Sequence, residues 1–307
     1  NIYDKDNNTM KNFFKISLIA STVLVLSACD QLDLDNKKDK FYYSNPSEKS
    51  MSFVVDDKTY QVEPGKSGYL TLSPGEHSLQ DSAGNKSTFM VYENNNGGIL
   101  NPDNFMYYRL SEVYAVQGKG DRFKPTEYKV VINGYQLEMP LQSTNATLID
   151  GNVFKCTYTL GEPFPSEIKS HNKNEMGNIK TKCFDKPELI QYIMTDYGQD
   201  LKPLSPQDEY NDTVNLALDY SLPQPQFTDP DIQAEAENWV ALLDQIKESN
   251  DPNIHKQLKT PLHEAINKLS KADSERAVKN SVEDNKYYNS FIHQASQYQS
   301  YGILPRD

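Results

Sequence analysis

The chain is short of the residues from which common active sites are built. Its 307 residues include 5 histidines, 3 cysteines and a single tryptophan. His77, His171, His255, His263 and His293 are scattered, and no two stand at the i, i+4 spacing that places a pair of ligands on one helix face. His263-Glu264 lacks the second histidine of a zinc-protease helix, so no metal site is expected. Gly65-Lys66-Ser67-Gly68 lacks the glycine two residues past the serine that a nucleophile elbow requires. No glycine-rich loop opens a helix to cradle phosphate, and Gly97-Gly98 lies in an Asn-rich turn. Carboxylates are abundant, but a catalytic pair would meet only in the fold. No catalytic or cofactor-binding residue is therefore assigned, and the chain is not read as an enzyme. Positive charge is also in deficit, with 31 Lys+Arg against 43 Asp+Glu and a net charge of −12. Such a chain repels phosphate backbones, which excludes nucleic acid as a partner. Nor does any apolar run approach the ~20 residues of a membrane-crossing helix.

What is present begins at Met10. Lys11 and Lys15 form a small basic cluster, and the apolar stretch Ile16 to Leu26 follows, interrupted by Ser17, Ser21 and Thr22. It ends in Leu26-Ser27-Ala28-Cys29, with Asp30 next. A basic start, a short apolar centre and small residues before a cut describe residues 10–28 as a signal peptide. Leu26 to Cys29 resembles the lipobox of bacterial lipoproteins. That resemblance implies diacylglycerol on the Cys29 thiol, cleavage before it and residence in the cell envelope. Two or three acyl chains hold a protein stably at a membrane, whereas one does so only marginally. In enterobacterial lipoproteins an aspartate directly after the lipidated cysteine favours the inner membrane. Asp30 therefore points to the periplasmic face of that membrane. Residues 1–9 are polar, precede the start methionine and read as an upstream extension that is not native. Residues 29–40 read as a tether, up to about 35 Å long when fully extended.

With Cys29 assigned to lipid, Cys156 and Cys183 remain. An even pair in an oxidising compartment implies a disulfide. Val153–Leu160 and Ile179–Phe184 read as strands carrying one cysteine each. Hydrophobic residues make up 37% of the chain and charged residues 24%, polar for a globular protein but short of disorder.

The pattern from residue 41 to 120 is β. Phe53-Val54-Val55 and Tyr60-Gln61-Val62 flank Asp56-Asp57-Lys58, a hairpin signal. Pro64-Gly65 and Pro74-Gly75 then bracket the alternating Tyr69-Leu70-Thr71-Leu72. Val54, Asp56 and Lys58, followed by Pro-Gly, a strand and Pro74-Gly75-x-His77, resemble the PEGA-like surface modules of bacterial envelope proteins. The resemblance covers about residues 50–92 and implies small β-sandwich pieces without chemistry of their own.

Residues 121–198 read as a second β module with a short helix. Its clearest element is the hairpin Tyr128–Ile132 and Tyr135–Met139 across Asn133-Gly134, a pair suited to a type I′ turn. Asp185 and Pro187 predict the helix start. Five prolines mark 199–229 as a linker or surface-hugging segment, and residues 230–302 as helical. Ile232, Ala236, Trp239, Leu243 and Ile246 recur at helical spacing, as do Leu262, Ala265, Ile266 and Leu269. Ala277, Val278, Val282, Tyr288, Phe291, Ile292 and Ala295 are placed on the inner face of a last helix. Tyr287, Tyr288, Tyr298 and Tyr301 are candidates for a partner surface or for its core.

The expected architecture is α+β: a β-sandwich-like N-terminal half followed by a helical region. The expected function is that of a membrane-anchored lipoprotein acting as a protein- or ligand-binding or assembly module, with an envelope protein as partner. An envelope hydrolase and an immunity or inhibitor lipoprotein are the rival readings.

Overall fold

Left-handed turn residues set the strand pairing. The computed structural model describes residues 2–5, 37–169, 176–275 and 281–306. Its first strands are β1 (Ile2–Lys5), β2 (Lys40–Ser44), β3 (Met51–Val55), β4 (Lys58–Val62) and β5 (Ser67–Thr71). Next come β6 (Gly75–Gln80), β7 (Lys86–Val91), β8 (Gly98–Leu100) and β9 (Tyr107–Ala115). The β3–β4 hairpin closes through Asp56 and Asp57 at φ 48° and 66°, the two positive dihedrals of a type I′ turn. β10 (Tyr128–Ile132) and β11 (Tyr135–Met139) pair as expected across Asn133 and Gly134, at φ 52° and 89°.

Four further strands follow: β12 (Leu141–Thr144), β13 (Leu148–Asp150), β14 (Glu167–Lys169) and β15 (Gly177–Asp185). The helices are α1 (Lys186–Tyr197), α2 (Pro230–Glu248), the single turn α3 (Ile254–Gln257), α4 (Lys259–Glu275) and α5 (Val282–Ser300). A last strand, β16 (Ile303–Arg306), ends the described chain. The molecule is thus α+β, with antiparallel sheets in its N-terminal half and most of its helix in its C-terminal part.

One sheet has the order β16-β7-β6-β3-β4 and faces another ordered β13-β8-β2-β5, whose β2–β8 pair is parallel. Phe41, Phe53, Val55, Leu79, Phe89 and Leu100 fill the space between them. The period-2 geometry of a strand sends neighbouring residues to opposite faces. Tyr42, Met90, Tyr92, Ile99 and Ile149 therefore join a second core, with Trp239, Leu243, Leu262 and Phe291 from the helices. A third core gathers Tyr108, Leu110, Val130, Ile132, Phe184, Leu189 and Ile193 around β9, β15, the β10–β11 hairpin and α1. β9 is the shared element, pairing β15 along its whole length on one edge and β12 and β1 on the other.

Helix ends follow the capping chemistry in the sequence. Asp185 accepts from the Glu188 N–H (3.0 Å) and Asp229 from Asp231 and Ile232 (3.0 and 3.2 Å). Ser281 and Asp284 form a reciprocal capping box on α5. The Pro-rich segment 199–229 hugs the surface. Thr213 exchanges hydrogen bonds with Val131, Leu216 N–H donates to the Ser143 carbonyl (3.0 Å), and Tyr220 Oη donates to the Leu148 carbonyl (2.6 Å). Tyr287 packs on Phe227 and holds the far end of the segment, donating to the Gln224 carbonyl (3.1 Å). Tyr298 and Tyr301 are core residues.

Several expectations are corrected. Val153–Leu160 is not a strand: the chain there turns, and only Tyr158 forms an isolated bridge, to Lys182. The Asp150 carboxylate takes the N–H groups of Asn152 and Val153, which bends the chain away from extended pairing. Within the segment read as an upstream extension, Ile2–Lys5 pair with β9 and β14. The fold begins before Phe41, because the Asp39 N–H donates to Asn95 Oδ1 (2.9 Å). Val282, expected to face inward, is 71% exposed at the first turn of α5. Ala277 and Val278 lie outside the described residues. The last helix does stop near Gly302, at Ser300, and β16 then returns to the edge of β7.

That return is secured by a buried ion. Asp150 is fully buried, and its carboxylate accepts from Asn152 and Val153 on one oxygen and from Gly302 and Ile303 on the other, at 2.7 to 3.2 Å. Burial raises its pKa to about 6, the four N–H groups offsetting part of the desolvation. Asp150→Asn keeps the shape but turns an amide NH2 toward N–H donors. We expect a loss on the order of 3 kcal/mol at neutral pH, with faster amide exchange through Ile303–Arg306. Unchanged exchange at Ile303, Leu304 and Arg306, the residues of this strand that carry an amide N–H, would count against this role.

His255 is half-buried, with both ring nitrogens out of solvent, and stands edge-on to Tyr92, ring centroids 4.7 Å apart. Burial, outweighing the Gln299 backbone, lowers its pKa from 6.5 to about 4. The unfolded chain thus takes up a proton near pH 6.5 that the folded chain refuses until about pH 4. The associated stability is complete above pH 6.5 and is lost as pH falls toward 4. The Asp150 contribution runs the other way, declining as pH rises from about 4 to about 6. His255→Leu removes one of these opposed terms. In urea titrations the variant should lose less stability than the wild type between pH 6.5 and 4, by up to about 3 kcal/mol. Parallel profiles for the two proteins would refute it.

Candidate functional site

A cleft of about 640 Å3 opens beside the disulfide. Its floor comes from β2, β8, β9 and β15, through Tyr42, Ile99, Arg109, Ile179 and Thr181. Its wall is the irregular segment from Gly151 to Leu160. Glycine is required where wall and floor meet: the Gly151 N–H donates to the Gly97 carbonyl (2.9 Å), and a Cβ on Gly151 would stand 2.5 Å from the Asn96 oxygen. The rest of the wall is docked on β15. Thr157 and Tyr158 N–H groups both donate to the Thr181 carbonyl (2.9 and 3.0 Å), and the Cys183 N–H donates to Tyr158 (2.9 Å). Cys156 and Cys183 stand at disulfide distance, with Cα atoms 5.6 Å apart, and fix the wall covalently.

The electrostatics of the cleft oppose those of the whole chain. Lys37, Arg109, Lys155 and Lys180 line it, and among the described residues no Asp or Glu does. Arg109 rises from β9 and lies over the Phe154 ring, 5.5 Å from its centroid. Its guanidinium donates to the Val153 carbonyl (2.9 Å), more weakly to that of Lys155, and to Gln142 Oε1. All three acceptors are neutral. Burial lowers the Arg109 pKa, yet the guanidinium stays charged at any accessible pH. Among the described residues no carboxylate pairs with Arg109, Lys155 or Lys180, whereas Lys37 has Glu162 at 3.7 Å.

Behind the wall lies a buried ion pair. Lys182 is 2% exposed, and its Nζ reaches Glu188 (2.7 Å) and the carbonyls of Thr159 (2.9 Å) and Cys183 (3.1 Å). Burial dominates both partners, lowering the lysine pKa and raising that of the glutamate. The pair ties the wall turn to the start of α1.

Of the residues singled out from sequence, Cys156 and Cys183 are brought together in this wall. Cys29, Asp30 and His171 lie outside the described residues. His77 bridges Asp56 and the Ser73 carbonyl (2.5 and 2.7 Å), a turn-to-turn contact. His263 and His293 face solvent, and Trp239 is buried in the helical core, donating to Gln299 (2.9 Å). Among the described residues there is no group of three metal-ligating side chains, and no helix is long and apolar enough to cross a membrane. Arg109, Lys155, Lys180 and Lys182 were not marked by sequence reasoning, because they are far apart in the chain and share no motif. No protein-family model, curated protein or solved structure matches this chain.

Opening the disulfide tests how the wall is held. The bond closes a sequence separation of 27 residues, which the chain-entropy relation values at about 3.5 kcal/mol. Cys156→Ser should lower stability by roughly that amount and raise amide exchange in residues 151–160 more than in β3 or α2. If both thiols of the folded wild type alkylate without reductant, the wall is not closed this way.

Proposed function

We propose that the chain is a lipid-anchored cell-envelope protein whose folded part works by binding, with the cleft beside Cys156–Cys183 as its site. The observation that carries the reading is the cleft itself. It has the size of small-molecule sites, its wall is pinned by a disulfide, and its charge is opposite to that of the chain. The signal-like residues 10–28 and the lipobox-like Leu26 to Cys29 support the anchor. A disulfide-distance pair accords with an oxidising compartment. The PEGA-like turn pattern of residues 50–92 supports a surface module as the platform. Asp30 favours the periplasmic face of the inner membrane.

The mechanism is confinement. From Cys29 the chain reaches Lys37, at the cleft, in eight residues, at most about 28 Å of extended backbone. The site would stay close to the bilayer, and its effective concentration toward ligands or protein partners at that surface would rise accordingly. Metabolic labelling with a palmitate analogue should mark the wild type and not Cys29→Ser, and the variant should leave the membrane pellet. Equal labelling of the two would overturn the anchor. On a sucrose gradient the wild type should travel with inner-membrane markers, and co-migration with outer-membrane porins would remove the role given to Asp30.

A further inference from the structure

We infer that the cleft takes a phosphorylated organic molecule, its phosphate held by Arg109 with Lys155 and Lys180, and its apolar portion resting on Tyr42, Ile99 and Phe154. The inference rests on the reading of the cleft as a binding site and names its ligand class. Three observations lead to it.

The first is charge placement. In a chain of net charge −12, four cationic side chains line the cleft and, among the described residues, no acidic one does. An acidic exterior repels free anions, while a concave basic wall of low dielectric focuses field into the cleft. Anion capture there is local and does not extend over the surface. Several cations around one space suit a multiply charged group such as phosphate better than a single carboxylate.

The second is Arg109. Its role in holding the wall places its N–H groups on neutral acceptors, so that role leaves its positive charge uncancelled. A half-buried guanidinium with neutral partners alone bears a desolvation cost that an incoming anion relieves. Its planar fork also suits two oxygens of one phosphate.

The third is the remaining surface. Tyr42, Ile99 and Phe154 present apolar area, and Thr157, Thr159 and Thr181 line the same space with polar groups. A bare inorganic ion would leave most of the 640 Å3 unused. An organic body fills it.

The test uses the unlipidated full chain, Cys29→Ser, and two dyes: the sulfonated 8-anilinonaphthalene-1-sulfonate and the uncharged N-phenyl-1-naphthylamine. The sulfonate should bind at one site, and Lys155→Glu with Lys180→Glu should weaken it at least 10-fold while changing the uncharged dye less than 2-fold. Both lysines lie outside the hydrophobic cores, so circular dichroism should show this variant folded; Arg109→Gln serves as a second, more central change. Inorganic phosphate and vesicles of phosphatidylglycerol, with phosphatidylcholine as control, then separate the sources. Displacement of the sulfonate by phosphate assigns a soluble phosphorylated ligand. Displacement only by phosphatidylglycerol vesicles assigns a lipid headgroup. Displacement by neither overturns the phosphate assignment. If the uncharged dye binds as tightly as the sulfonate and the charge reversal affects neither, the anion inference fails while the binding reading stands. If neither dye binds the wild type, both fail.

Discussion

The Asp150 carboxylate is the constraint on which the arrangement depends. It is fully buried, yet both oxygens are occupied by backbone N–H groups from two distant stretches, Asn152–Val153 and Gly302–Ile303. One side chain therefore fixes the exit of β13 into the cleft wall and the entry of β16 into the sheet. A charge in such a place is tolerated only when its hydrogen-bonding capacity is filled. Tyr220 and Tyr301 close the site above it, their rings 4.5 Å apart, while Tyr220 donates to Leu148 in the strand that carries Asp150. The helical part and the sheets are consequently fastened through the same carboxylate that shapes the cleft.

The β16 strand extends that fastening to the helices. Ile303 enters the sandwich core and Leu304 the helical core, so consecutive residues bind two layers together. Arg306 then donates to the Ser249 carbonyl, at the C-terminal end of α2, where a positive charge also complements the helix dipole. Tyr92, at the end of β7, donates to the Ile246 carbonyl (2.7 Å) in the last turn of that helix. Strand and helix ends meet through polar contacts at the margin of an apolar core. That economy explains why the half-buried His255 stays neutral beside Tyr92: it sits within the same apolar junction.

Legibility in the sequence followed the range of the interactions. The Asn133-Gly134 hairpin and the Asp229-Pro230 helix start were readable because turn dihedrals and caps are decided within four residues. The α2 stripe was readable because its period matches the helix, and Ile232, Ala236, Trp239, Leu243 and Ile246 are all buried. The wall was misread. Val153, Phe154, Tyr158 and Leu160 have strand-like composition, but Asp150 diverts the chain before pairing can begin. The β16 strand contains Pro305 and only four residues, too little pattern to outweigh a preceding helix. The cysteine pairing was inferred from parity and compartment, and the strand expected around Cys156 proved unnecessary to bring the sulfurs together. Asp150, Arg109 and the Lys182–Glu188 pair could not be found locally, since a charged residue in sequence carries no mark of the burial it will meet.

The cleft shows how an arginine that holds structure keeps its charge uncancelled. Arg109 must cross from β9 to the wall because the turn after Asp150 exposes the Val153 and Lys155 carbonyls toward the floor. Lysine would reach them as a point donor, whereas the guanidinium spans both and Gln142 together. Carbonyl dipoles stabilise the charge without cancelling it. Lys182 meets the same difficulty a few ångströms behind the wall, and there Glu188 neutralises it. The two cations thus differ in their partners: the one sealed from solvent is paired, and the one that faces the cleft has no carboxylate partner among the described residues. Pairing Arg109 with a carboxylate would have been the simpler way to hold the wall. Its described partners are neutral, so its positive charge faces the open cleft uncancelled by them.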